Sequence, residues 1–303
     1  MSTLTRAVTK DLNMRAFVIN SKDIVNKAYE YHGTLPVASA ALGRTLTAAS
    51  MMGAMMKDLG SSLTLQIKGN GPIGSITTVS DCYGNVRGYA DNPKVVLPLN
   101  AKEKLDVSGA VGKEGFVNVI KDLNLKEPYV GKCEIITGEI GDDITNYLVQ
   151  SEQNPAVCGL GVLVDVDFTI KQAGGFIISA LPFADDKILD EIERNVSKID
   201  SVTALFEKGL DNKGILDILF NNIPYDILET THPEYMCSCS RARYARALFS
   251  LGKEELEKLI SEQESAQLVC HFCNKTYKFD RSTLLSIKDD FENYYESCCH
   301  QQD

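Results

Sequence analysis

The sequence predicts an α+β fold: an N-terminal domain with a largely antiparallel sheet and flanking helices, a helical linker, and a small C-terminal module. Short β-rich runs cluster between residues 62 and 180 without regular alternation with helices. An apolar repeat of three to four residues begins near residue 185. Six of the nine cysteines follow residue 231. The predicted boundaries are 1–184, 185–231 and 232–303.

Two helices are predicted at the start of the N-terminal domain. The run KDIVNKAYEYH has apolar residues at helical spacing. The second helix spans about 34–60, with Thr34 as N-cap, Pro36 in the first turn and Gly60 at the end. Its many small residues predict a buried central helix. Its four methionines, at 51, 52, 55 and 56, favour core packing over an adaptable binding surface.

The β-rich runs are SLTLQIKG, GSITTVSD, GNVRGYA, KVVLPLN and FVNVIKDL, each broken by turn-forming residues. A strand to about Ile136 and a helix from about Asp142 follow, then two long strands joined by a turn near residues 173–175. Gly69–Gly74 matches a dinucleotide-binding motif, but β-branched residues and turns come next instead of a helix. We therefore interpret it as a turn between strands.

The linker region 185–223 is predicted to be an amphipathic helical segment. Its apolar stripe comprises Ile188, Ile192, Val196, Ile199, Val202 and Leu205, and KGLDNKG separates it from a short second helix. Such a stripe must pack on another surface. The segment is either docked permanently on the sheet domain or acts as a conditional cover.

Charge and composition limit the function. The 303-residue chain has a net charge of −10, which disfavours nucleic acid as a partner. The first residues lack the apolar segment of a secretory signal, and the apolar run 46–56 is about half a membrane span. We therefore expect a cytoplasmic protein without a membrane partner. Enzyme motifs such as a phosphate loop, H-E-x-x-H or a nucleophile elbow are absent, so we expect no enzyme activity.

Two cysteine pairs carry the most specific signal. Cys237 and Cys239 form a C-x-C pair, and Cys270 and Cys273 form a C-x-x-C pair thirty residues later. Clustered cysteines in the cytosol are more often metal-binding, catalytic or redox-sensing than structural disulfides. Four thiolates suit a closed tetrahedral zinc site. We predict one Zn²⁺ per chain in preference to buried unligated thiols. A thioredoxin-like site is disfavoured because a strand pattern follows the second pair.

The other thiols and nearby histidines are weaker candidates. Cys82, Cys133 and Cys158 lie in strand-like patterns and are predicted to be small core residues. Cys298, Cys299 and His300 are predicted to be a frayed tail with incidental thiols. His271 and His232 could compete as ligands, but four thiols suffice without them.

Several stretches resemble one family. The patterns C-S-C-S-R-x-R, ALFSLGKEEL and C-x-F-C-N-K-x-Y-x-F-D resemble the C-terminal switch of the Hsp33 family, the redox-regulated bacterial chaperones. HGTLPVASAALGRTLTAASMM, IKGNGPIG, GNVRGYADNP and AGGFIISALPFAD resemble that family's N-terminal domain. The resemblance covers nearly the whole chain, and the Cys-Cys-His tail and the three N-terminal cysteines depart from the pattern.

The resemblance implies an ATP-independent holdase that binds unfolding client proteins. It implies inactivity in the reduced, zinc-bound form, and activation through the disulfides Cys237–Cys239 and Cys270–Cys273 with zinc release. It further implies a homodimer when oxidised and transfer of clients to ATP-dependent chaperones. Two alternatives stay open: a zinc-module regulator that binds nucleic acid or protein without chaperone activity, and a thiol–disulfide oxidoreductase.

Overall fold

The computed structural model describes residues 1–263 and 265–289. It divides into two compact units, of which the first ends at Met236 and the second begins at Cys237. The first unit contains two five-stranded sheets and the second a two-stranded hairpin, and neighbouring strands are antiparallel in each. The predicted α+β class is confirmed, although the sequence did not separate the two sheets.

The first sheet has the order β10-β1-β2-β9-β8. Its strands are β1 (Thr3–Thr9), β2 (Met14–Asn20), β8 (Ala156–Val164), β9 (Ile170–Ala180) and β10 (Tyr225–Thr231). The β1–β2 hairpin was not predicted. The predicted turn at 173–175 is wrong, because Gly174 and Gly175 lie inside β9 and the turn spans 165–169. A Cβ at Gly174 would lie 2.3 Å from the Phe206 ring, so this glycine permits close packing.

The second sheet has the order β5-β4-β3-β6-β7. Its strands are β3 (Ser62–Gly69), β4 (Ser75–Asp81), β5 (Val86–Ala90), β6 (Gly115–Asp122) and β7 (Tyr129–Glu134). The predicted strand at 94–100 is wrong: this stretch is irregular apart from an isolated bridge between Leu99 and Leu105. The glycine-rich segment 69–74 connects β3 to β4 as predicted.

Helix α2 forms the centre of the first unit. The helices here are α1 (Lys22–His32), α2 (Pro36–Ala54), α3 (Val107–Val111) and α4 (Gly141–Gln150). As predicted, α2 is buried, and it packs on strands of both sheets. Its N-cap is Leu35 instead of Thr34, and it ends six residues before Gly60. Met51 and Met52 are buried, whereas Met55 and Met56 are only partly buried.

Three short helices cover the opposite face of the first sheet. They are α5 (Asp186–Val196), α6 (Val202–Glu207) and α7 (Asn212–Phe220). Helix α6 contacts β8 and β9, α7 contacts β1 and β2, and α5 packs against α7. Ile192 and Val202 are buried, and the rest of the predicted stripe is partly buried against the same cluster. The amide of Asn212 donates to the carbonyl oxygens of Thr3 and Val18. This layer therefore combines apolar burial with a polar attachment to the sheet.

The second unit contains α8 (Arg241–Phe249), α9 (Lys253–Glu262), β11 (Ser265–Val269) and β12 (Thr276–Asp280). The two helices meet near Gly252, as predicted from the sequence. Residues 281–289 are also helical. Eight buried apolar residues form the core of the described part of this unit. Within the described ranges, none of the helices has the length and apolar character required to cross a membrane.

A buried carboxylate organises the loop before α4. Asp143 is fully buried and accepts hydrogen bonds from the backbone N–H groups of Ile136, Thr137, Gly138 and Ile140. Ile140 has a φ of 69°, which is unusual for a β-branched residue. The four hydrogen bonds hold this strained backbone and set the start of α4.

We expect Asp143→Asn to lower the free energy of unfolding by about 3 kcal/mol, because it replaces a carboxylate with an amide that must face several N–H donors. Asp142→Asn is the matched control: Asp142 accepts from the Thr137 hydroxyl, and that bond is exposed. The free energy of unfolding of the control should fall by less than about 1 kcal/mol. Urea unfolding followed by circular dichroism measures both variants, and equal losses would contradict the role assigned to Asp143.

Candidate metal centre

Four cysteines of the second unit meet at one point. Cys237 and Cys239 lie just before α8, and Cys270 and Cys273 lie between β11 and β12. Their sulfur atoms all lie within 4.8 Å of one another. The Cys237 and Cys270 sulfurs are 3.7 Å apart, and those of Cys239 and Cys273 are 3.4 Å apart. Residues from both ends of the α8–α9 insert thus form a single cluster.

Local backbone structure places each pair. The Cys270 N–H donates to the carbonyl of Lys275, and the Asn274 N–H donates back to the carbonyl of Cys270. Asn274 has a φ of 55°, a conformation that asparagine adopts more easily than most residues. After the first pair, the Ser240 side chain accepts from the Arg243 N–H and caps α8. The turn at the second pair and the start of α8 after the first pair therefore place all four sulfurs near one point.

The surroundings shift the pKa values of Cys270 and Cys237 in opposite directions. Burial raises the pKa of Cys270, but hydrogen bonds from the Tyr244 hydroxyl and from the backbone N–H groups of Phe272 and Cys273 outweigh it and lower that pKa to about 7. Burial raises the pKa of Cys237. The Tyr277 hydroxyl donates to the Cys239 sulfur at 3.0 Å. Hydrogen bonds of this kind stabilise negative charge on sulfur.

The donor set fits a zinc ion. Four sulfurs at about 2.3 Å from a tetrahedral Zn²⁺ are about 3.8 Å apart, close to the separations observed here. Thiolate sulfur is the ligand that closed structural zinc sites prefer. Near the cluster, the side chain of Arg241 lies over the Phe279 ring and that of Lys275 over the Tyr277 ring. These cations could offset the charge of four thiolates. The four cysteines could therefore hold a metal ion.

The remaining candidates lie elsewhere or outside the described residues. His232 is in the first unit, where its ring contacts the carbonyl of Ser2, and His271 is not part of the four-sulfur cluster. Cys158 is buried as predicted, whereas Cys82 and Cys133 are only partly buried. The predicted tail of Cys298, Cys299 and His300 lies outside the described residues.

Sequence reasoning missed the aromatic residues around the sulfurs. Tyr277 donates to Cys239, and the Tyr244 and Tyr277 rings lie 4.9 Å apart. The alternation in TYKFD could have indicated that Tyr277 shares a face with the buried Phe279. That Tyr244 on α8 also lies beside the sulfurs could be found only from the folded structure.

Comparisons with known proteins point in one direction. The family model described as Hsp33 protein matches residues 2–280. The 33 kDa chaperonin of Agathobacter rectalis is 48% identical over 285 residues, covering 94% of this chain and 99% of that protein. The 33 kDa chaperonin of Bacillus subtilis is 45% identical over 289 residues, covering 95% and 99%.

A solved structure agrees with these relatives. The crystal structure of the 33 kDa chaperonin, a heat shock protein 33 homologue from Thermotoga maritima, superposes with a TM-score of 0.89 at 33% identity. The match covers 96% of this chain and 99% of that one. Since the family model spans most of the chain and full-length relatives are nearly half identical, this chain belongs to the Hsp33 chaperone family.

Proposed function

We propose that this chain is a redox-regulated, ATP-independent holdase that binds unfolding proteins and prevents their aggregation. The observation that carries the proposal is the cluster of four thiols in a unit with little other core. The described part of this unit has eight buried apolar residues, which are few for a stable fold, and units of this size commonly need a metal or disulfides. The stability of the second unit then depends on the chemical state of its cysteines.

The reduced form holds one zinc ion through Cys237, Cys239, Cys270 and Cys273. Bound Zn²⁺ would keep all four sulfurs deprotonated and contribute folding energy to the unit. Deprotonated sulfur is also the form that oxidants attack. The same four residues therefore serve both as structural ligands and as an oxidant sensor.

Oxidation joins the cysteines in two disulfides. Each disulfide forms as two thiolates give two electrons to hydrogen peroxide, which takes up two protons and becomes two water molecules. The four cysteines would then no longer offer thiolates to a zinc ion. The resemblance to Hsp33 supports the pairs Cys237–Cys239 and Cys270–Cys273. The two short sulfur contacts in the structure join one pair to the other, as expected where all four sulfurs surround one metal ion.

The client-binding surface appears when the three-helix layer α5–α7 is released. The apolar stripe of this layer is buried against the sheet face beneath it, which includes Ala16, Val18 and Ile178. Separation would expose two apolar surfaces, and such surfaces bind apolar partners. We propose that residues 185–231 act as a linker and cover between a chaperone domain, 1–184, and a redox-switch domain, 232–303.

Further aspects of the proposal rest on the family resemblance and on cysteine chemistry. They are a homodimer in the oxidised state, transfer of clients to ATP-dependent chaperones, and absence of enzyme activity. A cytoplasmic location suits a protein whose resting state needs four reduced thiols. The net charge of −10 argues against a nucleic-acid partner.

We expect the reduced protein to carry one zinc per chain and Cys237→Ser to lose most of it, because removing one thiolate opens the closed site. Metal analysis by mass spectrometry after dialysis gives the stoichiometry. Cys82→Ser and Cys298→Ser are the controls and should keep their zinc. Loss of zinc in Cys298→Ser together with retention in Cys237→Ser would disprove the ligand assignment.

Peroxide with mild heating should form the two local disulfides, release zinc and switch on suppression of client aggregation. Peptide mapping identifies the links, a chromogenic chelator measures the zinc, and light scattering of a heat-unfolded client measures the activity. A Cys239–Cys270 bridge as the main product would contradict the local pairing. Full activity in the reduced, zinc-bound form would contradict the switch.

Ile192→Asp should give partial chaperone activity without oxidation while zinc binding persists. Ile192 is 3% exposed, and burying such a side chain is worth about 1.5–3 kcal/mol, so a carboxylate there should loosen the layer. Lys187→Asp places the same carboxylate on the exposed face of α5 and should behave like the parent protein. Hydrogen exchange across 186–220 measures release. Equal protection in the reduced and oxidised parent proteins would remove the layer from the mechanism.

A further inference from the structure

Two cavities adjoin beyond the C-terminal end of α2. They have volumes of about 380 and 250 Å³, and Met56 and Lys57 line both of them. We call the pair of cavities the α2-end cleft. The first cavity reaches β1 and β10 of the first sheet, and the second reaches β2 of that sheet and Lys121 on β6 of the second. The cleft thus opens where the two sheets are no longer bridged by the central helix.

The cleft lies on the sheet face away from the α5–α7 layer. Side chains alternate between the two faces of a strand. On β1 and β2, Leu4 and Phe17 belong to the cluster around α2, whereas Ala16 and Val18 belong to the cluster beneath α5–α7. Arg6 shares the face of Leu4 and lines the first cavity. A ligand in the cleft would therefore not compete with docking of the three-helix layer.

The apolar part of the cleft is unusually adaptable. Met52, Met55 and Met56 line the second cavity together with Leu123 and Leu148. Leu59, 75% exposed, and Tyr83, 57% exposed, lie at the first cavity. Methionine is unbranched and polarizable, and surfaces that accept many different partners use it often. The lining suits varied apolar side chains better than one rigid ligand.

The charged part of the cleft is positive on an acidic protein. Four cations and two carboxylates are among the described residues that line it: Arg6, Arg15, Lys57, Lys121, Glu152 and Glu229. Lys121 pairs with Glu152 at 2.5 Å, and Arg6 lies 3.7 Å from Glu229. Arg15 and Lys57 have no carboxylate at ion-pair distance among the described residues. Arg15 does donate from Nε to the Ser179 hydroxyl at 2.9 Å, whereas Lys57 is exposed. The four cations still outnumber the two carboxylates at the cleft, although the whole chain carries −10.

Two polar atoms at the first cavity also lack partners. The Nε of Arg6 and the hydroxyl of Thr231 are buried and have no hydrogen-bond partner in the part of the chain that the structure describes. Both residues line this cavity. Buried polar atoms normally find partners, because leaving them unpaired costs stability. Neither atom is exposed to solvent, so an acceptor that enters the cavity meets the outer nitrogens of the Arg6 guanidinium, whose side chain is 39% exposed.

We propose that the α2-end cleft binds extended segments of unfolding proteins in which apolar side chains alternate with carboxylates. The apolar side chains contact the methionines, and the carboxylates pair with Arg15 and Lys57. This inference rests on the proposed holdase function and names the chemistry of its clients. Because the cavities are small, the cleft holds a segment weakly, and affinity for a whole client comes from combining it with the surface released by α5–α7.

The position of the cleft makes its binding independent of redox state. Docking of α5–α7 covers one face of the first sheet, and the cleft lies on the other. Short acidic-apolar peptides should therefore bind with similar affinity to the reduced zinc form and the oxidised form. Tight binding of large clients, in contrast, should require oxidation.

The probes are two fluorescein-labelled peptides, one of alternating Leu and Glu and one of alternating Leu and Lys. Fluorescence anisotropy with the full-length reduced protein should show preference for the Glu peptide. Lys57→Glu should lower the affinity for the Glu peptide about fivefold and raise the affinity for the Lys peptide, as expected for reversal of one exposed charge pair. Lys113→Glu makes the same change at an exposed lysine away from the cleft and should alter neither affinity.

The apolar contribution has its own pair of variants. Leu59→Ser should lower the affinity for both peptides about threefold, since it removes an apolar contact without changing the charge. Leu12→Ser is the matched control, because Leu12 is 65% exposed and does not line the cleft. Both side chains are largely exposed, so neither change should impair folding.

The outcomes separate this inference from the holdase proposal. If the oxidised parent protein suppresses aggregation but Lys57→Glu and Leu59→Ser bind both peptides as the parent does, the cleft is not the binding site. Equal displacement of the Glu peptide by millimolar citrate and by unlabelled peptide would also overturn it, since a simple anion would then suffice. Peptide binding as described, without suppression of aggregation, would leave the cleft assigned and reject the holdase function.

Discussion

The first five-stranded sheet is apolar on both faces, and each face must be covered to keep it from water. One face carries Leu4, Phe17 and Ile19 and is closed by α2, which the second sheet covers in turn. The other carries Ala7, Ala16 and Val18 and is closed by α5–α7. The two covers differ in kind. Helix α2 is continuous for 19 residues and buried between two sheets, whereas the outer layer consists of short helices of 11, 6 and 9 residues.

Short helices have little stability of their own and persist through what they pack against. The outer helices therefore depend on their packing against the sheet, where they share one buried apolar cluster with it. The polar attachment of the outer layer through Asn212 reaches the carbonyls of Thr3 and Val18. A mixed surface of this kind fits the proposal that the layer is exposed to water after oxidation.

The chain between this layer and the cysteines is itself anchored. Strand β10 pairs with β1, and the Tyr235 hydroxyl donates to the carbonyl of Gly88 at 2.8 Å. The Met236 N–H then donates to the carbonyl of Val86. Unfolding that spread along the chain from Cys237 would therefore have to break these hydrogen bonds before it could loosen α7. The site proposed in the α2-end cleft would need no such release, so the two proposed binding surfaces would not depend on one another.

The features that depend on residues a few positions apart could be predicted from the sequence. The two cysteine pairs, the stripe from Ile188 to Leu205, the helices on either side of Gly252 and the buried character of α2 were all predictable, since helical and turn geometry is local. The sequence did not reveal the β1–β2 hairpin, the division into two sheets or the irregular stretch 94–100. Strand pairing joins residues as far apart as Leu4 and Thr231, and no local pattern records it. Gly174 and Gly175 looked like a turn, yet the tertiary structure uses them inside β9 to admit the Phe206 ring and an adjacent strand. The convergence of Tyr244 and Tyr277 near the sulfurs, and of Arg6, Arg15 and Lys57 in one cleft, likewise arose only when distant segments were brought together by packing.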